Sequence, residues 1–215
     1  MKIVLFGATG NVGQRIVREA LERGHEIVGV VRDPVSSTAP DPRVTLVRGD
    51  ATDAASVAAV AAGADAVVSA ISPRPGSTGS APSLVDAAHA LIDGVRQAGV
   101  KRLVVVGGAG SLELAPGLML LDTPGFPEAY KEEATAGRDS LAVYRAEGEG
   151  LEWTFISPAA VIQPGERTGK YRTTIDQFLT DAEGKSEISF EDYAVALVDE
   201  LERREHVGRR FGVAY

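Results

Sequence analysis

The chain has 215 residues, 44% of them hydrophobic, which suits one sizeable α/β core and excludes a disordered chain. Its formal net charge of −8 disfavours nucleic acid and anionic membranes as partners, because both would repel it. The absence of cysteine excludes disulfides, thiolate nucleophiles and cysteine-ligated metals, and is typical of proteins of the reducing cytoplasm.

Strand-like and helix-like segments alternate along the first half of the chain. Apolar runs predict strands at residues 3–6, 26–31, 43–47, 66–70 and 101–106. Between them, the patterning predicts helices at residues 11–23, 53–62 and 83–98, the first ended by Gly24. The Pro-rich stretches at residues 34–42 and 73–80 are typical of surface loops.

The pattern loosens in the second half of the chain. Residues 108–125 suggest a functional or mobile loop, and residues 158–181 are predicted to be irregular, with one short strand and one helix. The remaining elements are a helix at 127–148, a strand at 152–157, a helix at 190–203 opened by a capping box at Ser189, and a final edge strand at 209–214. The whole predicts one α/β domain over residues 1–215, a doubly wound Rossmann-type parallel sheet with small C-terminal elements on the substrate side.

Three glycines, Gly7, Gly10 and Gly13, lie where the first strand turns into the first helix. Gly7 permits a tight turn, Gly10 lets the backbone approach a pyrophosphate, and Gly13 lets the helix pack closely on the strand. The helix N-terminus offers unpaired N–H groups and the positive end of its dipole to a phosphate. This context predicts a dinucleotide site, with a purely structural turn as the alternative.

The second strand is followed by Arg32 and Asp33. NAD-selective folds place an acid here for the adenosine ribose, whereas a guanidinium suits the 2′-phosphate of NADP. We therefore favour NADP, with NAD bound through Asp33 as the alternative. Further along, Asp50 is a candidate acceptor for the adenine amino group or simply a cap for the next helix, whose other candidate caps are Thr52 and Asp53. Ala70 is a candidate cofactor contact or a core residue.

These motifs, together with the run from Trp153 to Pro158, resemble the atypical short-chain dehydrogenase/reductases, and most closely their NmrA-like, biliverdin/flavin-reductase-like branch of NAD(P)H-binding proteins. The resemblance extends over residues 1–215 and includes the closing segment 188–194. It implies a diphosphate site formed by Gly7, Thr9, Gly10, Asn11, Val12 and Gly13. It further implies Arg32 at the 2′-phosphate, Asp50 and Ala51 at the adenine, Ala70 and Ile71 at the ribose, Gly107 and Gly108 beside the nicotinamide, and Pro158, Ala159 and Ala160 at the carboxamide.

The proton-transfer residues of most short-chain dehydrogenases are missing. No tyrosine is followed four positions later by a lysine, and the usual serine position holds Gly107 or Gly108. The candidate catalytic residues are therefore Ser111, the nearest hydroxyl, and the pair Tyr130 and Lys131, for which a solvated helix start is the alternative. Reduction of a flavin does not need a proton-donating side chain, because the proton can come from solvent. A pocket for it could be formed by an apolar run, which is alternatively core or an oligomer contact: Leu112, Leu118, Met119, Leu120, Leu121 and Phe126.

The sequence thus favours an NAD(P)H-dependent reductase of a small molecule, such as a flavin or a similar conjugated acceptor. The alternative is a non-catalytic sensor that binds the dinucleotide and signals to a protein partner. A third hypothesis is a sugar-nucleotide epimerase or dehydratase, although such an enzyme needs the missing acid–base pair. We expect a cytoplasmic monomer or homodimer that binds no metal, nucleic acid or membrane.

Overall fold

The computed structural model describes residues 1–72 and 83–215, so the predicted loop at 73–80 lies outside the described residues. The strands in these two ranges are β1 (Lys2–Phe6), β2 (Glu26–Val31), β3 (Thr45–Arg48), β4 (Ala66–Ser69), β5 (Arg102–Val106), β6 (Glu113–Ala115), β7 (Leu118–Met119), β8 (Glu152–Ser157), β9 (Val161–Gln163), β10 (Arg172–Thr174), β11 (Glu187–Ser189) and β12 (Arg209–Ala214). The α-helices there are α1 (Asn11–Glu22), α2 (Ala54–Ala61), α3 (Leu84–Gln97), α4 (Lys131–Glu147) and α5 (Phe190–Arg203).

Eight strands form one sheet in the order β10-β12-β8-β5-β4-β1-β2-β3. Neighbouring strands run parallel, except that β10 is antiparallel to β12. Side chains of β1 alternate between two cores: Ile3 and Leu5 pack with α1 and α5, while Val4 and Phe6 pack with α2, α3 and α4. Helices thus cover both faces of a parallel sheet, which confirms the doubly wound Rossmann-type fold.

Side-chain caps fix where several helices begin. The Asp53 side chain accepts a hydrogen bond from the Ala55 amide at 3.0 Å, and the Ser189 hydroxyl accepts one from the Asp192 amide at 2.9 Å. These contacts confirm the predicted caps of α2 and α5. Gly24, at φ +79°, follows the end of α1 as predicted.

Three sequence predictions in the less regular parts are wrong, and one strand was missed. Residues 108–125 contain the β6–β7 hairpin and a 3-10 helix (Leu120–Asp122), and residues 158–181 contain β9 and β10 but no helix. Strand β11 was not predicted, and β12 is not an edge strand because it pairs with both β8 and β10. Strands of two or three residues are too short to show the alternation that identifies longer ones. Among the described residues, no helix has both the length and the hydrophobicity needed to cross a membrane.

Candidate functional site

The carboxyl ends of four central strands meet at one edge of the sheet. In the strand register, Phe6 of β1 lies opposite Ser69 of β4, and Ser69 lies opposite Val105 of β5. Val106 lies opposite Ile156 of β8. The chain order reverses between β1 and β4, with β2 and β3 on one side and β5 and β8 on the other. Such a reversal opens the crevice in which parallel α/β sheets bind ligands.

The turn between β1 and α1 is closed mainly by backbone contacts, with one side-chain bond from Gln14 Nε2 to the Thr9 carbonyl at 2.8 Å. Gly7 has φ +81°, and a Cβ on it would lie 2.5 Å from the Ala70 carbonyl oxygen at the end of β4. The amide of Gly10 donates to the Gly7 carbonyl at 3.0 Å. Gly10 is the N-cap residue of α1, and since glycine has no side chain, it leaves the first amides of the helix without a side-chain cap of their own. This cradle fits a phosphate, because a larger residue at Gly7 would displace the turn and a capping side chain would occupy the helix N-terminus.

The other residues assigned to the diphosphate lie around the same turn. Asn11 is exposed, and Thr9, Gly10 and Val12 are partly exposed. Gly13 is buried against Gly7 and acts through packing. Their contact with a diphosphate remains a prediction.

Arg32 and Asp33 lie side by side on the surface after β2, and the Asp33 carboxylate is bound within a local turn. Asp33 accepts hydrogen bonds from the Val35 amide at 3.1 Å and from the Ser36 hydroxyl at 2.7 Å. These bonds hold the pKa of Asp33 below its usual range, with the Ser36 bond contributing most. Arg32 is exposed, and its charge acts on the neighbouring carboxylate of Asp50. The contact of Arg32 with an adenosine 2′-phosphate remains a prediction.

Asp50 shapes the segment after β3. Its carboxylate accepts from the amide of Thr52 at 2.9 Å and from the Thr52 hydroxyl at 2.8 Å, and both bonds lower its pKa, the amide bond most. Asp53, not Asp50, caps α2. Ala51 is only 7% exposed and packs in the core, so it can offer an adenine ring little besides its backbone.

The residues after β4, β5 and β8 line the rest of the edge. Ala70 packs partly against the core, and its carbonyl lies beside the Gly7 turn; its contact with a cofactor remains a prediction. Gly107 lies on the Phe155 ring, where a Cβ would be 2.0 Å from ring atom Cε1. A Cβ added to Gly108 would have no atom of the described residues within 4 Å. Three further residues assigned to the cofactor site lie along this edge. Ile71 is partly exposed, whereas Pro158 and Ala159 are buried.

The structure gives little support to the three candidate catalytic residues. Ser111 is 5% exposed, and its hydroxyl and carbonyl oxygens accept hydrogen bonds from the buried Arg210 guanidinium at 3.1 and 3.0 Å. Tyr130 is 53% exposed and ends a 3-10 helix (Glu128–Tyr130) that precedes α4. Lys131 is paired at 2.6 Å with Glu128 on the surface. These placements favour a structural Ser111 and the solvated helix start over a proton-transfer pair.

The apolar run does not form the single open pocket that the sequence suggested. Leu112 is buried and lies against Gly212 of β12. Leu118, in contrast, is 44% exposed on the β6–β7 hairpin. A cleft of about 460 Å³ lies elsewhere, lined by charged residues of α5 and by residues of β10 and β12.

One contact at the edge involves residues that sequence reasoning missed. The hydroxyl of Ser72, two residues after Ala70, donates to the Glu133 carboxylate at 2.9 Å. Glu133 is in the first turn of α4, and its neighbour Ala134 lies 2.7 Å from a Cβ built on Gly110, beyond the end of β5. The start of α4 therefore lies across the ends of β4 and β5. Sequence gave no signal for the contact, because 61 residues separate the partners.

Comparison with known proteins identifies the class of cofactor and the fold. A family model described as NAD(P)H-binding matches residues 7–204. A Burkholderia pseudomallei structure named as a "putative exported protein" is 48% identical, with all of both chains covered and a TM-score of 0.89. A Bacteroides thetaiotaomicron "putative epimerase" is 40% identical, with 100% of this chain and 96% of the other covered and a TM-score of 0.88. A Streptococcus pneumoniae "putative NADH-flavin reductase" is 35% identical, with 100% and 99% covered and a TM-score of 0.82.

Proposed function

This chain belongs to the NAD(P)H-binding family, as an atypical short-chain dehydrogenase/reductase of the NmrA-like type, and we propose that it is an NADPH-dependent reductase of a flavin or a similar conjugated acceptor. One observation supports the proposal: the chain has a glycine turn that fits a phosphate, but no tyrosine followed four residues later by a lysine for proton transfer. The bound cofactor supplies a hydride. The protein then has to bind, orient and shield two flat rings.

The preference for NADPH over NADH rests on the residues after β2. A carboxylate beside the adenosine ribose would favour NAD, but that of Asp33 is engaged by Val35 and Ser36. The Arg32 guanidinium is exposed at the same place and is suited to a phosphate, with which it forms charge-assisted hydrogen bonds.

The choice of acceptor follows from the side chains that are available to move a proton. Tyr144 and Tyr193 are fully buried, and burial raises the pKa of both. Ser111 is bound to Arg210, and Tyr130 is largely exposed. A flavin or similar acceptor takes a hydride on a ring atom and can take its proton from water, so it needs none of these groups. The printed name of the Streptococcus pneumoniae relative supports the same acceptor class.

The sensor alternative rests on the same missing pair, because a protein that only binds the dinucleotide needs no proton donor. An epimerase, the activity in the name of the Bacteroides thetaiotaomicron relative, would need an acid–base pair at the nicotinamide.

We further propose a cytoplasmic protein that acts on a small molecule as a monomer or homodimer, without nucleic acid, membrane or metal. The net charge and the lack of cysteine support this view.

The proposal is tested by comparing acceptors at saturating NADPH under anaerobic conditions. Purified protein is supplied with FMN, riboflavin, a quinone, or a panel of simple ketones and aldehydes, with protein-free controls. We expect NADPH oxidation with the conjugated acceptors and none with the ketones. Turnover only with ketones or aldehydes would contradict the proposal, and bound NADPH without any turnover would favour the sensor.

A further inference from the structure

We propose that Glu133, oriented by Ser72, binds the hydroxyls of the nicotinamide ribose. The inference rests on the proposed binding of NADP(H), which it deepens by assigning a residue to the nicotinamide half of the cofactor. It concerns binding and positioning, and assigns Glu133 no part in proton transfer.

The order of groups along the sheet edge is the first argument. Arg32 follows β2, the glycine turn follows β1, and Ser72 follows β4, and these three strands are consecutive in the sheet. The parts of the dinucleotide follow the same order, from adenosine 2′-phosphate through diphosphate to the second ribose. Neighbouring strands are about 4.8 Å apart, which is similar to the length of one group of the dinucleotide, such as a ribose or the diphosphate. The second ribose then falls at the end of β4, where Ser72 and Glu133 meet.

The chemistry of the pair is the second argument. A carboxylate offers two acceptor oxygens, which suits the two adjacent hydroxyls of a ribose, and an acid performs that role at the adenosine ribose of NAD-selective folds. The Ser72 hydroxyl donates to one oxygen, Oε1, at 2.9 Å and thereby orients the group. Glu133 is partly exposed, so a ligand can reach it.

The surroundings of Glu133 are the third argument. Lys131, two residues earlier, pairs with Glu128 and not with Glu133 in the structure. Beyond the end of β5, Ala134 packs closely on Gly110, which fixes the first turn of α4 against the sheet edge. The carboxylate is therefore carried by a rigid helix, as precise positioning of a ligand requires.

The test separates the two halves of the cofactor. Dissociation constants of NADPH and of adenosine 2′,5′-bisphosphate, which lacks the nicotinamide ribose, are measured by calorimetry for the full chain and for Glu133→Gln and Ser72→Ala. Glu132→Gln serves as the matched control, because Glu132 is exposed on the same helical turn. We expect Glu133→Gln to weaken NADPH about tenfold and Ser72→Ala to weaken it less, with the bisphosphate unchanged in both.

Each other outcome is decisive. Equal NADPH affinity in the wild type and Glu133→Gln would overturn the inference while leaving the proposed function intact. An equal loss of both ligands would also overturn it, since it would indicate a structural role; bisphosphate binding reports on folding in the same samples. A wild-type protein that binds neither ligand would overturn the proposed function itself.

Discussion

Gly13 lies so close to Gly7 that a Cβ built on Gly13 would be 2.0 Å from the Gly7 carbonyl oxygen. The same oxygen accepts the hydrogen bond from the Gly10 amide. The third glycine of the motif is therefore required by helix packing, and it holds in place the turn to which we assign the phosphates.

Gly13→Ala should lower the free energy of unfolding by at least about 2 kcal/mol and weaken NADPH binding, because the backbone oxygen cannot move aside without opening the turn. Gly137→Ala is the matched control in the middle of α4, where a Cβ would meet nothing within 4 Å. It should stabilise the protein by about 0.5–1 kcal/mol through helix propensity. Chemical denaturation measures the free energy of unfolding of the two variants, and an equal change in both would contradict the packing argument.

Arg32→Ala should weaken NADPH binding by about 10- to 100-fold while sparing NADH, because a charge-assisted bond to the 2′-phosphate is worth about 1.5–3 kcal/mol. Arg43→Ala is the control, since Arg43 is an exposed arginine paired with Asp41 in the loop between β2 and β3. It should change neither affinity. Fluorescence titration measures the affinity of each variant for NADPH and for NADH. A similar loss of affinity for both cofactors in Arg32→Ala would refute the assignment of Arg32 to the 2′-phosphate.

Glu19 should make stability depend on pH in the acid range. Hydrogen bonds from Arg167 and Arg23 hold the pKa of Glu19 below its ordinary value of 4.5, the Arg167 bond most strongly, although burial opposes them. A lowered folded-state pKa contributes stability above pH 4.5 that is lost as the pH falls through the folded value. Glu19→Gln should be less stable than the wild type by about 1–2 kcal/mol at pH 7. Denaturation from pH 7 to pH 3 should show that difference shrinking; a constant difference would be inconsistent with this role.

Arg102→Met should destabilise the protein by about 3–5 kcal/mol, because it removes the buried guanidinium that pairs at 2.8 Å with the buried carboxylate of Glu200, to which His206 remains bonded at 2.9 Å. Arg204→Ala, which breaks an exposed pair with Glu152, should cost less than about 1 kcal/mol. Arg102 opens β5 at the end opposite to the glycine turn, so the folded Arg102→Met protein should keep its NADPH affinity. Urea denaturation measures the loss of stability, and calorimetry measures the NADPH affinity. An Arg102→Met protein that is as stable as the wild type but no longer binds NADPH would contradict both predictions.

Sequence patterning predicted the framework well because long apolar runs identify buried strands. The bounds of β2, β8, β12 and α5 agree with the prediction to the residue. The hairpin, β11 and one of the two strands β9 and β10 escaped prediction, since two or three residues show no periodicity.

The candidate site was predictable only in its local part. The glycine turn and Arg32 are adjacent to strand ends and are visible in the sequence. The bond between Ser72 and Glu133 joins residues 61 positions apart, and that between Arg210 and Ser111 joins residues 99 positions apart. Such pairs form only when the sheet and α4 are assembled, so the sequence suggested a catalytic Ser111 and gave no reason to single out Glu133.

The central claim is that this protein transfers hydride from NADPH to a conjugated acceptor without a tyrosine as proton donor. Its most direct test is the initial rate of NADPH oxidation in the presence of FMN for the wild type and Tyr130→Phe. We predict a rate that rises in proportion to protein concentration and is the same in both proteins. A wild type that binds NADPH but does not oxidise it with FMN, or a rate that Tyr130→Phe abolishes, would contradict the claim.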